Sequence, residues 1–206
     1  MGYSAIPDIV VGRLPLYLRT LQTMAAGGQQ NTSSQELGEH LGISAAQIRK
    51  DLSQFGEFGK QGTGYNIGFL TEQLRKILHV DKIWDLVVVG AGDVGHAISR
   101  YQGFTNRGFR VALVFDNDPA KVGQQVGDFI VQDIAKLIPL VQELGAKIAM
   151  LSVPASQAQP VTDMLVAGGI KAILNYAPVN LIVPDGVEVQ YTDPVVHLQR
   201  MSFYLE

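Results

Sequence analysis

Leu86-Val87-Val88-Val89-Gly90-Ala91-Gly92-Asp93-Val94-Gly95 is the stretch on which the fold turns. Four apolar, mostly β-branched residues run straight into Gly-x-Gly-x-x-Gly, and a helical pattern follows through Tyr101. Strand, glycine turn and helix in that order is the context the hexapeptide needs; alone, it is a weak signal. Gly90 makes the tight turn, Gly92 lets the backbone approach a pyrophosphate, and Gly95 lets the helix pack close on the strand. The helix start supplies N–H donors and a favourable dipole for phosphates. Ala91, Asp93 and Val94 complete this cofactor-binding loop. The following strand ends in Asp116, where a carboxylate can accept hydrogen bonds from the adenosine ribose and would repel a 2′-phosphate, so NAD(H) is expected over NADP(H). The competing reading is a glycine turn that binds nothing, with Asp116 merely ending a strand.

Working toward the C-terminus, further short runs read as strands: Phe109–Phe115, Phe129–Val131, Ile148–Val153, Ala172–Leu174 and Val187–Tyr191. Near-continuous apolar strands alternating with helical stretches predict an α/β fold, a doubly wound, mainly parallel Rossmann sheet covered on both faces. The tail, 193–206, reads as one more helix in which Val196, Leu198, Met201, Phe203 and Tyr204 leave little polar surface. On a lone subunit such a helix would be stranded, so a partner subunit is expected to cover it.

Working toward the N-terminus, the pattern changes at about 80–82. Leu14, Leu18, Leu21 and Ala25 give a helical spacing over Leu14–Ala26, with Pro15 in the first turn. Ser33 with Glu36, and Ser44 with Gln47, both have capping-box spacing. They predict a short helix to about Leu41, a break at Gly42, and a third helix from Ala45 to about Phe55. Two capped helices across a glycine turn make a helix-turn-helix. The glycine-rich segment Gly56–Tyr65 then reads as a wing hairpin, anchored by Phe58 and Tyr65. Asn66 caps a helix to about Leu78 with Phe69, Leu70, Leu74, Ile77 and Leu78 as its apolar positions. The domains are therefore 1–79, a winged helix-turn-helix; 80–192, the Rossmann domain; and 193–206, the C-terminal helix.

The 206 residues hold no cysteine, which excludes disulfides, a zinc–thiolate site and a cysteine redox switch. His40, His79, His96 and His197 lack metal-cluster spacing, so no metal is expected. No signal peptide or membrane span is read, and cytoplasm is the default. The net charge of −3 is unevenly shared: 1–79 carries seven Lys/Arg against six Asp/Glu, 80–206 nine against thirteen. Charge alone would not suggest DNA, although a local patch at Arg49-Lys50 and Lys60 suffices if geometry aims it. The second domain has just enough chain for its sheet, and neither His96 nor His197 has an orienting acid nearby in sequence, so a sensor is expected, not an enzyme. Two rivals stand beside that: a small NAD(H)-dependent oxidoreductase with a helical extension, and a coenzyme-A-binding domain of an interaction protein.

Several long strings also resemble one family. Ser44–Gly56 (SAAQIRKDLSQFG), Gly59–Tyr65 (GKQGTGY), Arg13–Arg19 (RLPLYLR), Phe115–Gly123 (FDNDPAKVG), Ser152-Val153-Pro154 and Ile173–Val179 (ILNYAPV) are similar to the Rex redox-sensing transcriptional repressors, in order along nearly the whole chain. The resemblance implies a homodimer whose C-terminal helices are domain-swapped, each reaching between the partner's two domains. It implies repression from palindromic operator DNA, released when NADH binds and opposed by NAD+.

On that reading Ser44, Gln47, Arg49, Lys50 and Lys60 are the DNA-binding residues. Those early in the helix reach base edges, Lys60 at the wing tip reaches the backbone or minor groove, and Asp51 orients Arg49 or Lys50. The nicotinamide end is expected near Tyr101, Val153, Pro154, Asn175, Tyr176, Ala177 and Pro178. The resemblance nominates a switch of Arg19, Tyr101 and Asp193, in which Asp193 pairs with Arg19 in one arrangement and with Tyr101 when NADH is bound. Asp193 before Pro194 is also a good helix cap. Pro194 departs from the family pattern, which has an aromatic or other apolar side chain there. Reversing a 1:99 equilibrium takes about 5.5 kcal/mol of differential binding. NADH and NAD+ differ only in one ring, so discrimination belongs to the nicotinamide end, while Asp116 and the glycine loop bind both.

Overall fold

The computed structural model describes residues 6–59 and 64–205. The chain divides into two compact units, Met1–Lys82 and Ile83–Glu206, with the division three residues beyond the position read from sequence.

In the first unit, α1 (Asp8–Val11) leads into α2 (Leu14–Ala26), then β1 (Asn31–Thr32), α3 (Ser34–Leu41), α4 (Ala45–Ser53), β2 (Tyr65–Asn66) and α5 (Ile67–Ile77). Three helices start where a side chain can satisfy a free amide. Ser33 Oγ accepts from Glu36 N–H, Ser44 Oγ from Gln47 N–H, and Asn66 Oδ1 from Phe69 N–H. Helical spacing then puts Leu14, Tyr17, Leu21, Leu37, Ile48, Leu52, Leu70 and Leu74 into one core, where each large aliphatic side chain contributes roughly 1.5–3 kcal/mol. Ile67 joins that core, whereas Phe69, expected on the apolar face, is exposed. It lies two positions from Ile67, which turns it to the other side of the helix. Helix α4 stops at Ser53, short of Phe55. At the end of the segment read as a wing, β2 pairs antiparallel with β1, Asn31 against Asn66 and Thr32 against Tyr65; residues 60–63 of that segment lie outside the described residues. Phe58 and Tyr65 do pack on the core. Lys60 lies outside the described residues.

In the second unit, β3 (Trp84–Val89), α6 (Asp93–Arg100), β4 (Phe109–Asp116), β5 (Gln125–Val126), β6 (Phe129–Ile130), β7 (Gln132–Asp133), α7 (Leu137–Leu144), β8 (Ile148–Leu151), α8 (Ala155–Gly168), β9 (Ala172–Asn175), β10 (Glu188–Tyr191) and α9 (Pro194–Ser202) follow in order. Six strands form one sheet in the order β10-β9-β8-β3-β4-β7, and every pairing in it is parallel. Alternation along β3 explains its unbroken apolar run. Leu86 and Val88 enter the core shared with Ile98 of α6, while Val87 and Val89 enter the core shared with Val141 of α7 and Leu165 of α8. The run 129–131, read as a sheet strand, is instead half of a hairpin. β5 and β6 pair antiparallel, Gly127-Asp128 makes the turn, and the sheet's edge is the polar pair Gln132-Asp133. Helix α9 starts at the predicted Pro194 and leaves Val195, Val196, Leu198 and Met201, with Phe203 beyond its end, exposed on the described chain. Among the described residues, no helix is long and apolar enough to cross a membrane.

Candidate dinucleotide cleft and DNA-reading helix

A parallel sheet of this order opens a crevice where its winding reverses, at the carboxyl ends of the two central strands. Here those strands are β3 and β8, and a cleft of about 480 Å³ lies there, a size suited to a small ligand. The residues read from sequence that line it are Gly90, Gly92, Val94, Asp116, Val153, Pro154 and Tyr176; Asn117, Lys121, Ser152 and Gln157 join them. The glycines divide their work. Gly90 has φ +102°, and a Cβ there would collide with the Ser152 carbonyl oxygen. A Cβ on Gly95 would collide with the Gly90 carbonyl oxygen, so α6 lies as close to the turn as backbone allows. A Cβ on Gly92 would meet nothing, which leaves open space beside the uncapped start of α6. That space and those free amides fit a pyrophosphate. Ser152, which the sequence reading passed over as part of a string, ties the crossing together: its Oγ donates to the Gly90 carbonyl at 2.9 Å.

Asp116 is 6% exposed, and its carboxylate is committed inward as well as toward the cleft. Oδ2 accepts from Ala91 N–H at 2.7 Å and from Lys121 Nζ at 3.1 Å, and Oδ1 accepts from Asp118 N–H at 2.9 Å. Burial acts to raise its pKa, but the amides of Asp118 and Ala91 and the Lys121 ammonium outweigh it and hold the carboxyl below the usual carboxylate range. A carboxylate offers about four acceptor positions. Three are filled, and one is left for a ligand hydroxyl. Ala91 therefore serves as an anchor of the loop through its amide and is itself buried.

Other expected cofactor residues turn elsewhere. Asn175 is buried, its Nδ2 donating to the carbonyls of Ala177 and Val179 and its Oδ1 accepting from Ala177 N–H, so it shapes the loop after β9 and Tyr176 alone of that string lines the cleft. Ala177 is buried and Pro178 exposed. Asp93 sits in the first turn of α6. Tyr101, at the end of α6, is 50% exposed, stacks edge-on against Phe104, and accepts from Arg107 Nη1 at 2.7 Å. Of the other residues nominated for the switch, Arg19 is exposed on α2 and Asp193 caps α9 by accepting from Val195 N–H.

The helix-turn-helix unit holds a second buried carboxylate. Asp51 in α4 is 0% exposed and accepts from Arg13 Nε (2.6 Å), Arg13 Nη2 (2.7 Å), Tyr17 Oη (2.6 Å) and Gln47 Nε2 (2.7 Å). Burial would raise its pKa; Arg13, Tyr17 and Gln47 together keep it low. Burial and the Asp51 bond push the Tyr17 phenol well up. This corrects the expectation that Asp51 orients Arg49 or Lys50: it lies on the inner face and fastens α4 to the start of α2. Sequence could not show that, since Arg13 is far away along the chain. On the outer face, Ala46, Arg49, Lys50 and Ser53 form an exposed stripe at helical spacing. Arg49 is additionally anchored, donating from Nη1 to Ser34 Oγ at 2.8 Å. Ser44 is exposed at the cap.

Among the described residues there is no cluster of three potential metal ligands. Two family models match the chain: one described as "Putative DNA-binding protein N-terminus" over residues 5–53, and one described as "CoA binding domain" over residues 81–179. A relative from Chloroflexus aggregans, named redox-sensing transcriptional repressor Rex, is 51% identical over 199 residues, covering 97% of this chain and 94% of the relative. One of the same name from Carboxydothermus hydrogenoformans is 42% identical over 198 residues, covering 96% and 95%. Among solved structures, RSP in complex with NAD+ and operator DNA matches with TM-score 0.93 at 37% identity, over 98% of this chain and 93% of that one. RSP in complex with NADH matches with TM-score 0.89 at 35% identity, over 98% and 95%.

Proposed function

The chain belongs to the Rex family of redox-sensing transcriptional repressors, and from that premise we propose that it holds operator DNA while NADH is scarce and releases it when NADH binds. The observation that carries this is the pairing, in one chain, of an exposed basic stripe on a capped helix with a glycine-lined cleft that closes on a buried aspartate. The dinucleotide is a regulatory ligand here; a reduced nicotinamide is uncharged and an oxidised one cationic, and no substrate is turned over. Gly90, Gly92 and Val94 with the α6 amides would receive the pyrophosphate, and Asp116 the ribose. Val153, Pro154 and Tyr176 would face the nicotinamide end. The description of the second family model names coenzyme A, and a CoA site shares such a phosphate-cradling turn. The acceptor position left open on Asp116 favours the dinucleotide.

For DNA, Arg49 and Lys50 would meet the major groove, with Ser44 and Gln47 at the helix start and Lys60 at the backbone. The exposed apolar side chains at and beyond α9 support a homodimer in which that helix is swapped onto the partner, and a two-fold dimer matches a palindromic operator. Asp193 would then exchange between Arg19 and Tyr101 as NADH comes and goes, giving the ligand unequal contacts in two arrangements. Titrating a repressor–operator complex with NADH should release the duplex at concentrations where NAD+ leaves it bound. Equal behaviour of the two dinucleotides would overturn the sensing reading.

A further inference from the structure

Gln47 is the third residue of α4, early enough in the helix to reach a base edge, and its side chain is tied back to Asp51. The chemistry of that tie fixes which end of the amide is used. Asp51 is an ionised carboxylate and can only accept. Its other acceptor positions are taken by the Arg13 fork and the Tyr17 hydroxyl. Gln47 must therefore give Asp51 its NH2 end, and Oε1 stands on the other branch of the amide. An unconstrained glutamine can turn over and offer donor or acceptor to whichever base is present. This one is held in one sense, because turning would set Oε1 against a buried anion; Oε1 is the acceptor it presents, and only the second N–H of its amide is left to donate.

We infer that Gln47 reads operator DNA as an acceptor, taking a hydrogen bond through Oε1 from the exocyclic amino group of an adenine or cytosine in the major groove, with Asp51, clamped by Arg13 and Tyr17, as the positioning residue that holds the amide in that sense. The class of ligand atom follows from the groove: adenine N6 and cytosine N4 are its amino donors. The inference rests on the DNA-binding reading above. It also separates two kinds of contact on one helix. Arg49 and Lys50 bring charge and affinity; Gln47 brings discrimination at one base pair in each half-site.

The test uses the full chain with NAD+ present. Preferred duplexes are first selected from a randomised library with the wild-type protein and with Gln47→Met, and the base pair at which preference is lost is noted. The adenine or cytosine there is then replaced by an analogue lacking only the amino group, purine for adenine or 2-pyrimidinone for cytosine. The wild type should lose roughly three- to tenfold in affinity for the altered duplex, the worth of one hydrogen bond, and Gln47→Met should bind both duplexes alike. Asp51→Asn, which can donate as well as accept, should lower the wild-type discrimination between the two duplexes. Should that variant fail to fold, the Gln47→Met comparison decides alone. The inference is overturned if Gln47→Met changes preference at no base pair, if amino-group deletion costs both proteins equally, or if a folded Asp51→Asn discriminates as well as the wild type. Failure to select any preferred duplex with the wild type would instead overturn the DNA-binding reading itself.

Discussion

Asp51 and Asp116 are both carboxylates withdrawn from solvent, one in each unit, and they are satisfied in opposite ways. Asp51 is met by side chains: two nitrogens of Arg13, the Tyr17 hydroxyl and the Gln47 amide. Asp116 is met mostly by backbone, the amides of Ala91 and Asp118, with Lys121 as its one cation. The first arrangement fills every acceptor position and locks two helices together. The second stiffens a turn and leaves a position open. A buried charge compensated fully serves the frame; one compensated short of saturation still has an appetite for a ligand.

The sharpest way to break this comparison is to delete each carboxylate. Asp51→Ala strands the Arg13 guanidinium and the Tyr17 hydroxyl, and should cost the helix-turn-helix unit about 3–5 kcal/mol, read as lost hydrogen-exchange protection across α2 and α4. A loss under about 1 kcal/mol would put the network on the footing of a surface ion pair. At the other site, Asp116→Asn keeps an acceptor for Ala91 but loses the charge. NADH and NAD+ affinities, measured by calorimetric titration, should fall together by roughly tenfold, the worth of one charge-assisted hydrogen bond. Loss of one dinucleotide's affinity without the other's would move discrimination to the ribose end.

The smallest effect is with pH, and here the two sites should agree. Both carboxyls sit below their ordinary pKa. Each therefore adds stability that is complete above the unfolded value, about pH 4, and drains away as pH falls through the folded value. Acid unfolding followed by circular dichroism should show both units weakening below about pH 4, with no pH dependence from these groups near neutrality, where their contribution is complete. A stability decline centred near pH 6 would assign the acid sensitivity to histidine instead.

Much of this was legible in sequence because its causes are local. Ser33, Ser44 and Asn66 each announce a helix by offering an oxygen to an amide three residues on, and Gly90-x-Gly92-x-x-Gly95 announces its turn because backbone crowding admits no side chain at Gly90 or Gly95 and the open space beside Gly92 is left for a ligand. What stayed hidden depends on distant partners. Asp51 reads like any acidic residue on a helix surface until Arg13 is brought beside it. Asn175 sits in a string that suggests ligand contact, yet its amide closes its own loop. Residues 129–131 carry a strand's composition, and only pairing decides that β6 joins β5 while a polar pair takes the sheet edge. Phe69 shows the same limit on the helical side: composition marked it apolar, rotation left it outside.

The short ladder between β1 and β2 has a consequence for how such a reader is inherited. It brings Asn31 alongside Asn66, so everything from Ser33 to Gly64, both helices of the reading motif included, hangs between two points that touch. A segment whose ends meet can be exchanged without moving its anchorage, since the cost of closing it grows only slowly with length. Leu37, Ile48 and Leu52 plug fully into the core below, Leu41, Ile43, Phe55 and Phe58 pack against it, and Asp51 latches the segment. A graft that kept those inward residues and the two strands could carry a different outer stripe. New operator preference would then arise by swapping a cassette, with the redox half left as it stands.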